Sequence, residues 1–306
     1  MTTRWICLTV LLCHLWLQGC GGRPGGLDPA VHRREVEEWR RARLSLLTSE
    51  SGWLTLCGLF WLKEGPNTCG GDSSLDVIFP RGKSPAMLGT FWRTDSLVHF
   101  TARPGAEVHH EGVSVTSLEL ESDADRGGPT VLTHGTLSFY VIKRGDKLGV
   151  RVKDKESPTR ANFKGLEYFP IRLEWRHEAS FEPYNPARVV KIANAVNIVQ
   201  DYSSPGALTF EHEGKTYTLD ALAESGEAKE LLIMFSDQTA GFETYGGGRQ
   251  LYTGMPDAHG KVVLDFNKAY NWPCVFTEFA TCPIPPAQNH LPLRVKAGEK
   301  MYVGHE

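Results

Sequence analysis

The sequence predicts a mainly β, α+β fold: an N-terminal helix, then a sandwich-like β half, then a second β-rich half toward the C-terminus. Three observations predict it. The chain holds 31 glycines, 18 prolines, eight tryptophans and nine tyrosines in 306 residues, a composition rich in turn-formers and strand-formers. Short apolar runs bounded by turn residues recur along most of its length, the pattern of strands. One stretch, 28–47, instead carries a helical period, with Val31, Val36, Trp39, Leu44 and Leu47 forming an apolar stripe behind an Asp28 cap and a first-position Pro29. At this length two domains are expected, at 51–160 and 161–306, behind a helical segment at 28–50 whose helix is expected to lie across the domain that follows it.

The first residues carry a different signal. Arg4 precedes an apolar run over 5–17, too short for the roughly 20 apolar residues of a membrane span but suited to a signal peptide core. The run ends in Leu17-Gln18-Gly19-Cys20, which resembles the lipobox of bacterial lipoproteins. That resemblance implies cleavage after residue 19, acylation of Cys20 with palmitate-type chains, and a lipid-anchored protein of the bacterial cell envelope. Gly21 at the next position fits sorting to the outer membrane, facing the periplasm, with 20–27 as a tether. Export leaves four cysteines beyond Cys20, and the local pairing Cys57 with Cys69 and Cys274 with Cys282 is expected. A metal site using Cys274, Cys282 and His290 lacks the usual ligand spacing, so no metal and no cofactor is expected.

From residue 52 onward the elements follow in order. Residues 53–62 form a strongly apolar run, and 77–79 is the next strand. Residues 134–142 and 148–152 read as a hairpin around Arg144-Gly145-Asp146. Segment 67–91 resembles the core of forkhead-associated β-sandwich domains, but Gly71 and Pro85 stand where those domains carry the arginine and serine that read phosphate. The resemblance therefore implies a sandwich and no phosphothreonine reading. Residues 151–170 join the halves, with Arg151 and Arg160 as candidates for bidentate recognition of a carboxylate or phosphate. Further on, 210–219 reads as a hairpin turning at Glu213-Gly214, with strands at 230–235, 261–266 and 291–296. The glycines of Gly246-Gly247-Gly248-Arg249 match neither a P-loop nor a dinucleotide fingerprint, and read as a tight turn or bulge.

Net charge is -3, with no basic patch, so nucleic acid is not an expected partner. Chemistry concentrates in 265–292, which packs Asn267, Tyr270, Asn271, Gln288 and Asn289 among prolines and two cysteines. Asn267, Asn271, Asn289 and Arg249 are expected to orient a small polar or anionic ligand, with Tyr270 and Trp272 as aromatic platforms. A hydrolase using a cysteine, or Glu243 and Asp265, in the same pocket is the alternative. A purely structural stretch without ligand is the other. His32 and Glu35 on the helix are expected on a solvated face.

The stretches 51–65, 139–146, 163–170, 243–249 and 265–292 together resemble the bacterial and archaeal family of unknown function DUF1684. The resemblance implies no activity. It does imply that Arg249, Asn267, Tyr270, Asn271, Pro273, Cys274, Cys282, Pro283 and Asn289 belong to a shared pattern, and that Cys57, Cys69 and His290 depart from it.

Overall fold

The computed structural model describes residues 27–223 and 226–304, so the signal peptide, the tether and Cys20 lie outside the described residues, all but Leu27 of the tether. The fold is β-rich, with one long N-terminal helix followed by open, sandwich-like sheets.

Every strand of two sheets falls between Leu56 and Asp154. A five-stranded sheet runs in the order Val77–Ile78, Gly65–Gly70, Gly89–Thr94, Leu97–Ala102, Ser117–Leu120. A six-stranded sheet runs Leu56–Trp61, Lys147–Asp154, Leu137–Arg144, Leu132–His134, His109–His110, Val113–Ser114. Period-two alternation turns Phe139 and Val141, with Val150 and Val152, toward the other sheet's Phe91 and Phe100. Phe139 is the hub, its ring centroid 5.0 Å from Phe79 and 6.0 Å from both Phe91 and Phe100. The same alternation turns Tyr140 and its cross-strand partner Arg151 to the opposite face.

The third sheet is built between Arg176 and Leu291, in the order Lys261–Asp265, Arg176–Ala193, Val199–His212, Lys215–Ala223, Glu230–Asp237, Arg249–Gly254, Tyr270–Asn271. His290–Leu291 adds a short parallel pairing to Glu230–Asp237. The sheet curls enough to bring Arg249–Gly254 beside Lys261–Asp265, where the Thr253 hydroxyl donates to the Val263 carbonyl at 2.5 Å. Phe210, Phe235, Phe266, Leu219 and Leu264 fill the interior. The 212–215 hairpin turns as expected, Glu213 and Gly214 taking φ of 49° and 74°, the left-handed pair that a two-residue turn needs. The 246–248 glycines form the expected tight turn. At Gly248, φ is 79° and a Cβ would lie 2.6 Å from the Phe235 carbonyl, so no side chain fits.

Three expectations need correction. The strand expected over 291–296 is only His290–Leu291, because Val295 and Ala297 turn their carbonyls to an arginine instead of a neighbouring strand. The helix Pro29–Thr48 docks on the C-terminal half rather than across the sandwich. Arg40 donates to the Phe169 carbonyl at 3.0 Å, and Arg43 to Glu299 at 3.1 Å and to the Asn271 carbonyl at 3.3 Å. His32 is buried rather than solvated, its Nε2 2.8 Å from Asp265 Oδ2. No helix among the described residues is long and apolar enough to cross a membrane.

Candidate functional site

Where the two halves and the helix converge they leave a cavity of about 440 Å³. The sandwich contributes Trp53, Arg144 and Arg151; the curled sheet contributes Gln200, Tyr202, Gln250, Tyr252 and Tyr270. The C-terminal stretch contributes Trp272, Pro273, Thr281, Cys282 and Pro283, and the helix contributes Arg43. Each wall follows from strand geometry. Gln200 with Tyr202, and Gln250 with Tyr252, are two residues apart and so share a face. The 281–283 segment is held between the halves: Cys282 accepts at its carbonyl from the Ala195 amide at 2.9 Å, and Arg144 donates to the Thr281 hydroxyl at 3.0 Å.

Three guanidinium groups line this cavity, and their electrostatic situations differ. Arg144 makes a bidentate pair with Asp123, at 2.9 and 2.8 Å. Arg43 lies 4.5 Å above the Tyr270 ring and is paired to Glu299 at 3.1 Å. Glu299 has no exposed surface; burial pushes its carboxyl above the ordinary range, against the opposing pull of Arg43 and the Asn271 amide. Arg151 is only 3% exposed, yet no carboxylate among the described residues pairs with it. Its hydrogen bonds are long, 3.4 Å to the Tyr140 hydroxyl and 3.5 Å to Thr281, its Nε has no partner, and its guanidinium carbon stands 5.1 Å from the Trp53 ring. The neighbouring Lys153 shows the resulting field: burial first, and repulsion by Arg151 second, lower its ammonium to about 8. Trp272 carries a second unmet donor in the same wall, its buried indole N–H.

Of the residues singled out in the sequence, Arg151, Tyr270, Trp272, Pro273, Cys282 and Pro283 line the cavity. The others are held elsewhere. Arg249 is buried against Asp237 at 2.7 Å and donates to the carbonyls of Val295, Ala297 and Glu299. Asn267 closes on the Arg172 backbone in both directions, at 3.0 and 2.9 Å, and also donates to Asp265. Asn271 is tied to Glu299 and the Lys300 carbonyl. Asn289 joins two strands by accepting from the Asp220 amide and donating to the carbonyls of Asp220 and Met234. Arg160 clamps the end of the helix, donating to the Thr48 and Lys155 carbonyls at 2.8 and 2.6 Å. These five are ties between chain segments, and none of them lines the cavity. Glu243 is engaged by Arg294, and His290 by Ser236.

The four cysteines are free thiols, which corrects the disulfide expectation. Cys69 lies in the sandwich core while Cys57 Sγ contacts the Val152 carbonyl, so the two do not meet. Burial pushes each of these thiols up to about 12. Cys274 and Cys282 do lie together, the Cys274 amide donating to Cys282 Sγ at 3.2 Å. Contact with Cys282 lowers the Cys274 thiol, and the same contact with burial raises Cys282.

Arg43, Trp53, Arg144, Gln200, Tyr202, Gln250 and Tyr252 line the cavity and were not singled out in the sequence. The available signal was the pairing of Gln with Tyr two residues apart on two strands, polar and aromatic groups on one face.

A family model described as protein of unknown function, DUF1684, matches residues 161–300. A similar solved structure is the solution NMR structure of an uncharacterized protein from gene locus rrnAC0354 of Haloarcula marismortui. It is 28% identical, covers 49% of this chain and 83% of its own, and has a TM-score of 0.41. No curated protein matches. The 51–65 and 139–146 stretches lie outside the family match, which takes in the curled sheet, the C-terminal stretch and the greater part of the cavity lining. Over residues 161–300 the chain is similar to the DUF1684 family, whose function is unknown.

Proposed function

We propose that the protein binds a small anionic ligand in the cavity between its halves, and does so as a lipoprotein of the cell envelope anchored through Cys20. Arg151 carries the ligand reading. A buried ion without a partner costs several kcal/mol even after relaxation, so a fold that holds one at a cavity wall is completed by an anion from outside. The unmet Trp272 indole N–H in the same wall supports it, since a carboxylate or phosphate oxygen accepts such donors. Hydrolysis in the same cavity is the weaker reading: among the described residues the lining has no carboxylate, and Cys282 is held as a thiol.

The test is thermal unfolding of the chain from Gly21 onward against millimolar panels of small anions. A bound anion adds to the unfolding free energy by the linkage relation, about 2.7 kcal/mol at a hundredfold excess over Kd, and so raises the midpoint. Arg151→Met is expected to abolish that rise. An unchanged anion response in the variant overturns the reading. The envelope reading rests on the Leu17-Gln18-Gly19-Cys20 pattern. Mass spectrometry of detergent-extracted protein is expected to find an acylated N-terminal Cys20, and an unmodified residue there overturns it.

A further inference from the structure

We propose that the ligand of this cavity is a monocarboxylate on a neutral, hydroxyl-bearing ring, a sugar acid of the hexuronate type. The proposal rests on the anion-binding reading above and narrows it by charge and by wall chemistry.

Charge comes first. Asp123 neutralises Arg144 through two hydrogen bonds, and Glu299 neutralises Arg43. One guanidinium, Arg151, is left, so the cavity is short of one negative charge. A carboxylate supplies one charge and matches the planar fork of an arginine. A phosphate monoester or a pyrophosphate brings two or more, and the one further cation beside Arg151, Lys153, lies outside the lining, donates to the Ser51 carbonyl and has its ammonium lowered to about 8 by burial and by Arg151. Among the described residues the lining also has no acid, and its three guanidinium groups disfavour a cationic ligand.

The rest of the wall describes the rest of the ligand. Gln200 and Gln250 present carboxamides, which donate and accept at once, as hydroxyl groups require. Trp53, Trp272 and three tyrosines line the cavity, aromatic groups of the kind against which the C–H face of a sugar ring packs. A purely apolar acid would leave the two carboxamides without partners. The volume of about 440 Å³ lies within the usual range for a small-molecule site and suits one monosaccharide.

Calorimetric titration of the chain from Gly21 onward decides it, using galacturonate, galactose, galactose 6-phosphate, benzoate and pyrophosphate as probes. Galacturonate is expected to bind at least about tenfold more tightly than each of the others, a difference of about 1.4 kcal/mol. Arg151→Gln is expected to erase the preference for galacturonate over galactose. Gln250→Leu is expected to erase its preference over benzoate while leaving benzoate unchanged. Tighter binding of galactose 6-phosphate or pyrophosphate overturns the single-charge argument and leaves anion binding standing. Benzoate binding as tightly as galacturonate overturns the hydroxyl argument alone. Binding of every anion unaffected by Arg151→Gln, in a variant whose circular dichroism matches the parent, overturns both this proposal and the reading beneath it.

Discussion

Arg249 and Arg151 are both almost wholly buried, 1% and 3% exposed, yet their surroundings are opposite. Arg249, in the C-terminal core, meets Asp237 and three backbone carbonyls. Arg151, in the cavity wall, meets two hydroxyls at long range and the face of Trp53. The first arginine is finished by its own chain, and removing it strands a buried carboxylate. The second is unfinished, and removing it relieves a buried charge. Burial alone therefore does not separate a structural arginine from a binding one; the count of acceptors around it does.

The sharpest break between the two comes from truncation. Arg249→Ala leaves Asp237 buried without its cation, and urea unfolding is expected to show a loss of about 3–5 kcal/mol. The asparagines grouped with Arg249 are expected to follow it at smaller scale. Asn289→Ala removes one acceptor and two donors from the join between Lys215–Ala223 and Glu230–Asp237, for an expected loss of about 1–3 kcal/mol with no effect on anion binding.

This contrast also explains what the sequence could tell. The helix, the hairpins at 145 and 213, the glycine turn before Arg249 and the two β-rich halves are local patterns of period, cap and turn, and were legible. The density of amides in 265–292 was legible too, but their role was not. Asn267, Asn271 and Asn289 bind backbone groups as far as 95 residues away in sequence, and no local pattern distinguishes such a tie from a ligand contact. His32 was misjudged for the same reason, since its partner Asp265 lies 233 residues away. Arg43, Arg144 and Gln200 reach the cavity only because three separate segments converge there.

A pH profile sharpens the comparison from the core side. His177, packed among Phe210, Phe266 and His212, is lowered to about 4 by burial and then by His212. The native state holds it neutral while the unfolded chain takes up a proton below about 6.5. Its contribution to stability is therefore full above 6.5 and is lost as pH falls through the window down to about 4. His177→Phe is expected to flatten the slope of unfolding free energy between pH 6.5 and 5; an unchanged slope assigns the dependence to other groups.

Thiol reactivity separates wall from core with no change in stability. Under native conditions iodoacetamide is expected to modify Cys274 first, and Cys69 only on unfolding, because the Cys274 thiol is lowered and Cys69 is buried and raised to about 12. Peptide mass mapping over time reads the order directly. Ligand in the cavity, which Cys282 lines, is expected to slow labelling of the pair.

The most direct measurement is the unfolding free energy of Arg151→Met beside the parent, without ligand and with a saturating anion. Without ligand the variant is expected to match or exceed the parent, since it removes an unpaired buried charge. With ligand the parent alone is expected to gain stability. A ligand-free loss for Arg151→Met comparable to that of Arg249→Ala would contradict the account, and would make Arg151 another tie within the fold.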